Sequence, residues 1–216
     1  MTITHHPEPE SLMSCSAGSM PEAFAAVMSA HITVCPQCQK DLALMQTIGE
    51  TMFDKIPPAP VTRDAPVIAL RSGEADTEPD SVAEAVALGD VPAPLTPMIG
   101  HSLDAVAWKR VGPGVWQHAI ELAGERRGSL RLIKIAPGMA LPEHGHGGSE
   151  LTLILRGAFR DETGTYGPGD ITDLCGDHKH SPVADPDLGC ICLAAMDGRM
   201  QFKGLVAKIV QSLSGF

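Results

Sequence analysis

Two sets of residues in this 216-residue chain have the types and spacing of metal ligands. His31, Cys35 and Cys38 form H-x3-C-x2-C within "AHITVCPQC". Two thiolates with imidazoles make a closed structural zinc site, which needs four ligands. The fourth is missing locally, and His5 or His6, upstream, could supply it. A free CxxC redox pair and buried unliganded thiols are the competing readings. The second set lies in "GMALPEHGHGGSELTLILRG", residues 138–157. His144 and His146, two apart, put both imidazoles on one face of a strand, and Glu150 keeps that parity. His180 follows beyond a turn at Gly169 and Asp170. Three imidazoles and one carboxylate suit a borderline divalent ion.

Different elements must position the two sets. A helix is expected over residues 19–33, with Ser19 and Glu22 as a capping box and Phe24, Val27, Met28 and His31 on one stripe. A second helix opens at Pro36 and carries Leu42, Met45, Ile48, Met52 and Ile56 until Pro57-Pro58 stops it. His31 thus ends one helix, and Cys35 and Cys38 open the next. Eight prolines between residues 57 and 97, with acidic and small residues among them, read as a linker. Within it, "DSVAEAVALG" at 80–89 reads as a short helix that could order on a partner. Beyond residue 98 the pattern turns to period 2 in short segments such as "GVWQHAIEL", "SLRLIKIAP" and "LGCICLAAM", punctuated by Gly and Pro. The fold class is therefore two domains: an N-terminal all-α module over 1–60, a Pro-rich acidic linker over 61–97, and a C-terminal all-β module over 98–216. The closing "FKGLVAKIVQSL" reads as a strand and a helix.

Charge and cysteine usage narrow the function. The net charge is −10, and residues 1–97 hold 13 acidic residues against 4 basic ones, so the acid sits in the first half. Such a surface disfavours phosphate backbones and suits a basic protein partner, although acid also serves solubility. Six cysteines are too few for a disulfide scaffold. With neither a long apolar run nor a basic, apolar leader in the sequence, the expectation is a cytoplasmic protein that does not enter a membrane.

The residues 138–157 match the first cupin motif, G-x5-H-x-H-x3-E-x6-G, at Gly138, His144, His146, Glu150 and Gly157. The second cupin motif is matched at Gly169 and His180, while Cys175, Asp177 and Ala184 replace its Pro, Gly and Asn. Residues 5–56 resemble the zinc-binding anti-sigma domain, whose hallmark is H-x3-C-x2-C with an upstream His. Together they resemble the ChrR-type anti-sigma factors, in which such a domain is fused to a cupin. The resemblance implies Zn²⁺ on His31, Cys35, Cys38 and, by spacing, His6 in preference to His5. It implies a cupin barrel with a second divalent ion, Zn²⁺ by the same resemblance, on His144, His146, Glu150 and His180. It further implies a transcription regulator without catalytic turnover. The helical module would bind an extracytoplasmic-function sigma factor one to one, and an oxidative signal of the singlet-oxygen type, sensed by the cupin, would release it.

Two other readings compete. Three His and one carboxylate on Fe²⁺ or Mn²⁺ leave coordination positions free, so a cupin dioxygenase or isomerase with an accessory helical domain is the alternative. A thiol switch through Cys35 and Cys38, or through Cys190 and Cys192, is the third, and the last two residues read better as core.

Overall fold

A computed structural model describes residues 2–60, 90–124, 128–176, 179–198 and 200–202. The helix expected at 80–89 and the chain beyond Phe202 lie outside the described residues.

Three helices open the chain: α1 (Pro9–Ser16), α2 (Glu22–Val34) and α3 (Pro36–Phe53). Prolines at the first turns of α1 and α3 suit positions whose N–H groups have no partner in the helix. Pro36 also forces the preceding residue out of the helical region, and Cys35 is extended at φ −110° and ψ 100°. This single extended residue makes the bend between α2 and α3. The expected capping box does not form, because α2 begins at Glu22 and leaves Ser19 outside the helix, bonded to Ser14. The Glu22 carboxylate instead accepts the amides of Ala123 and Gly124 at 3.3 and 2.8 Å, so it ties the helix to the β half.

Twelve strands follow among the described residues: β1 (Lys109–Gly112), β2 (Val115–Ile120), β3 (Ser129–Ile135), β4 (His144–His146), β5 (Ser149–Gly157), β6 (Phe159–Arg160), β7 (Thr165–Tyr166), β8 (Ile171–Cys175), β9 (Lys179–His180), β10 (Val183–Ala184), β11 (Cys190–Met196) and β12 (Met200–Phe202). One antiparallel sheet runs β1-β2-β3-β11-β5-β8, and two three-stranded sheets run β10-β6-β7 and β12-β4-β9. Alternation assigns each face of the large sheet a different task. Ile135, Ile154, Cys190 and Cys192 point inward onto Phe159, Tyr166 and Ala184 of the smaller sheet. Leu130, Leu132, Leu151, Leu153, Ile171, Leu193 and Ala195 point outward.

That outward face is covered by the helices. Leu12, Phe24, Val27, Met28 and Ala30 form one continuous buried cluster with it. The two modules expected from the sequence therefore share a core, with α2 lying on β3, β5 and β11. The end of the proline-rich stretch joins this core too, since Val91 and Leu95 are buried. Arg156 pairs with Asp90 and with Asp104, at 2.6 Å for the latter, and closes that corner. Among the described residues no helix is long and apolar enough to cross a membrane.

Candidate functional site

The bend at Cys35 decides the geometry of the first cluster. His31 leaves the last turn of α2, Cys35 sits at the bend, and Cys38 lies in the first turn of α3. The segment before α1 runs beside them and brings His6. Nδ1 of His6 is 3.4 Å from Sγ of Cys35 and 3.5 Å from Sγ of Cys38. Nε2 of His31 is 3.2 Å from Sγ of Cys38. All four donor atoms lie within 4.8 Å of one another. A tetrahedral ion bound at about 2.0–2.1 Å to nitrogen and about 2.3 Å to sulfur sets such N to S separations near 3.5 Å, so the donor set fits a metal ion.

Electrostatics support that fit. The His31 Nδ1–H donates to the carbonyl oxygen of Gly169 at 2.8 Å, which leaves Nε2 with its lone pair aimed at the thiols. Burial keeps this imidazole below its ordinary pKa and hence neutral, against the opposing pull of the Gly169 carbonyl. Burial, together with the neighbouring Cys35 thiol, pushes Cys38 up to about 12. A cation among the four donors would make thiolates of these thiols. His5, the other upstream histidine, turns away from the cluster and stacks on Tyr166 with ring centroids 4.2 Å apart.

The second candidate set is spread over two sheets. A turn at Gly147 and Gly148 separates His144 and His146 on β4 from Glu150 on β5, and the two strands belong to different sheets. The single-strand parity expected for these three residues is therefore not what is seen, since Glu150 belongs to a different strand and sheet from His144 and His146. Gly148 makes the turn possible, since a Cβ there would strike Asp197 and the backbone of Gly198. His144 pairs with His180 of β9 in register. Their Nε2 atoms are 3.1 Å apart. His144 Nδ1–H donates to the carbonyl of Pro142 at 2.9 Å, and His180 Nδ1–H donates to the carboxylate of Asp161 at 3.0 Å. With each Nδ1 engaged in this way, the two Nε2 atoms face one another and are the ring atoms placed to share a proton or a cation. Glu150 is buried and accepts the Thr152 hydroxyl at 2.7 Å. The side chain of His146 lies outside the described residues.

Asp161 did not stand out in the sequence, because an Asp in a hairpin turn reads as turn chemistry alone. Its side chain is almost fully buried. Burial pushes its pKa up, but the bonds from Thr163 and His180 outweigh that and hold it below the ordinary carboxylate range. Cys190 and Cys192 are buried on β11, as a core reading expects.

The likeness to known proteins follows both halves of this architecture. Residues 97–198 match the family model described as the ChrR cupin-like domain. The chain is 37% identical over 212 residues to anti-sigma-E factor ChrR of Cereibacter sphaeroides, covering 98% of each protein. Its structure is similar to the Rhodobacter sphaeroides anti-sigma ChrR seen in complex with SigE, with a TM-score of 0.74 and 36% identity over 91% of this chain and 100% of that one. Near-complete coverage at this identity, with helices and a cupin-like fold in the same order, means that the chain belongs to the ChrR family of anti-sigma factors.

Proposed function

We propose that this protein is an anti-sigma factor that binds one extracytoplasmic-function sigma factor in the cytoplasm and releases it on an oxidative signal of the singlet-oxygen type. The observation that carries the reading is full-length kinship to an anti-sigma factor whose relative is seen bound to SigE. A surface feature supports it. Leu44, Ile48, Met52 and Ile56 recur every fourth residue on α3 and its end, and each is more than half exposed. An apolar stripe of this kind is what a helix offers to a protein groove. The acidic bias of residues 1–97 suits a basic client.

In this reading residues 1–60 are the sigma-binding half and residues 98–216 the sensor half, joined by 61–97. His6, His31, Cys35 and Cys38 hold a structural Zn²⁺. The ion ties the N-terminal segment to the bend between α2 and α3, which a small helical module needs for stability. His144, His146, Glu150 and His180 hold a second divalent ion, assigned here as Zn²⁺, in the sensor. No turnover is part of the scheme. Release requires only that the signal favour a conformation with weaker sigma affinity, by about 3 kcal/mol for a hundredfold loss.

Co-expression of the full chain with each extracytoplasmic-function sigma factor of its genome, followed by pull-down and mass measurement, tests the reading. A one-to-one complex is expected with one of them. Failure to retain any of them overturns it.

A further inference from the structure

The two clusters are joined by a continuous run of polar and ring contacts through one hairpin, residues 159–170. At its tip, the Asp161 carboxylate accepts a hydrogen bond from His180 Nδ1–H at 3.0 Å. Its other oxygen accepts the Thr163 amide at 2.8 Å, the Thr163 hydroxyl at 2.5 Å and the Gly164 amide at 3.2 Å. With that hydroxyl proton committed to Asp161, Tyr166 OH donates to Thr163 Oγ1 at 2.7 Å. The Tyr166 ring then stacks on His5, the neighbour of His6.

The other end of the hairpin grips the N-terminal segment directly. Asp170 Oδ1 accepts the amides of Thr4 and His5 at 2.7 and 3.0 Å, and Oδ2 accepts the Gly167 amide at 2.9 Å. The Ile171 amide donates to the His5 carbonyl at 3.3 Å, and the Gly169 carbonyl holds His31. Gly169 has φ +89°, and a Cβ there would meet Ile3 at 2.8 Å. The absence of a side chain at Gly169 thus leaves room for Ile3 against the hairpin.

We propose that the hairpin of residues 159–170 is a mechanical link between the clusters, with Asp161 and Tyr166 as its positioning residues. A displacement of His180 in the β half moves Asp161 and is felt at Thr4, His5 and His31. The regulatory meaning of this link rests on the function proposed above, but its existence does not. Contiguity alone does not establish coupling, so the test measures coupling itself.

Amide hydrogen exchange on the full-length, metal-loaded chain reads the joint at Thr4, His5 and Ile171. Asp161→Asn removes the charge of the acceptor, and Tyr166→Phe removes only the hydroxyl while keeping the ring. Each is expected to speed exchange at the three amides by about fivefold or more, with β11 amides unchanged within about twofold. In the double variant the acceleration should fall well short of the product of the two, the mark of residues acting as one unit. Unchanged joint amides in both single variants, or a double variant equal to the product, overturns the link. Should Asp161→Asn not fold, Tyr166→Phe decides alone, by acceleration or its absence. Sigma pull-down with the wild-type chain is scored separately. Lack of sigma binding with coupled exchange rejects the function, and sigma binding with uncoupled exchange rejects the link.

Discussion

His31 faces two ways: its Nε2 lies 3.2 Å from Sγ of Cys38, and its Nδ1–H donates over 2.8 Å to the carbonyl of Gly169 in the β half. One imidazole therefore serves the candidate metal cluster and the joint between the modules. The two histidines upstream divide in the same way, His6 toward the thiols and His5 toward Asp170 and Tyr166.

Removing His6 and removing His5 should accordingly have different effects. His6→Ala, like Cys38→Ser, is expected to speed metal release to a chromogenic chelator by about a hundredfold or more, since it removes a ligand. His5 touches Asp170 and Tyr166 and none of the four donors, so His5→Ala should change it by less than about tenfold, below the range for a group bonded to a ligand. Equal effects for the two histidines would contradict the assignment of His6.

Gly169 and Gly49 make an opposed pair. Gly169→Ala places a side chain at positive φ against Ile3 and should cost about 1–3 kcal/mol. Gly49 lies inside α3 with nothing within 4 Å of an added Cβ, so Gly49→Ala should stabilise by about 0.5–1 kcal/mol. Thermal unfolding reads both, with a shift of about 2–4 °C for each kcal/mol.

Acid should loosen the joint at Asp170. Burial raises this carboxyl, but the amides of Gly167, Thr4 and His5 outweigh burial and hold it below its ordinary value. A depressed folded pKa contributes stability that is present above the unfolded value, near 3.9, and is lost as pH falls through the folded one. Protection of the Thr4 and His5 amides, taken relative to their intrinsic exchange at each pH, should therefore fall below about pH 4 in wild type, whereas Asp170→Asn should show lowered protection without that pH step.

The exposed stripe of α3 predicts a separation of binding from stability. Ile48→Asp or Met52→Asp should weaken sigma binding by about tenfold or more, measured by calorimetry, because apolar anchors carry much of an interface. The melting temperature should stay within about 2 °C of wild type, since neither residue is in the core. Val27→Ala, in the shared core, should instead cost about 1–2 kcal/mol of stability.

Thiol reactivity should separate the cysteines. Cys175 is exposed, and Cys190 and Cys192 are buried side by side. The bond with Cys190, then burial, keeps the Cys192 thiol well above its ordinary pKa. An aromatic disulfide reagent should modify Cys175 in the native protein about a hundredfold faster than the β11 pair, because only the thiolate attacks and only an accessible one is reached.

How far the sequence was legible follows from the range of each interaction. The ligand types, the proline-driven bend at Cys35, the opening positions of α1 and α3 and the period-2 strands are local properties, written within a few residues of one another. What lay beyond reach came from contacts across the chain. His144 and Glu150 share an even spacing, yet a two-glycine turn puts them in different sheets, so strand parity does not relate them. Spacing alone favours His6 over His5, whereas the place His5 takes instead, on Asp170 and Tyr166, depends on residues more than 150 positions away. The shared core likewise needed α2 to meet the outward leucines of β3, β5 and β11, and no periodicity within either segment states which distant surface it will cover. The sequence by itself determined the residue types of both candidate ligand sets and most of the elements that carry them. Only the tertiary structure decided that one hairpin runs between them, because hydrogen bonds such as His180 to Asp161 and His31 to Gly169 exist only after the chain has closed on itself.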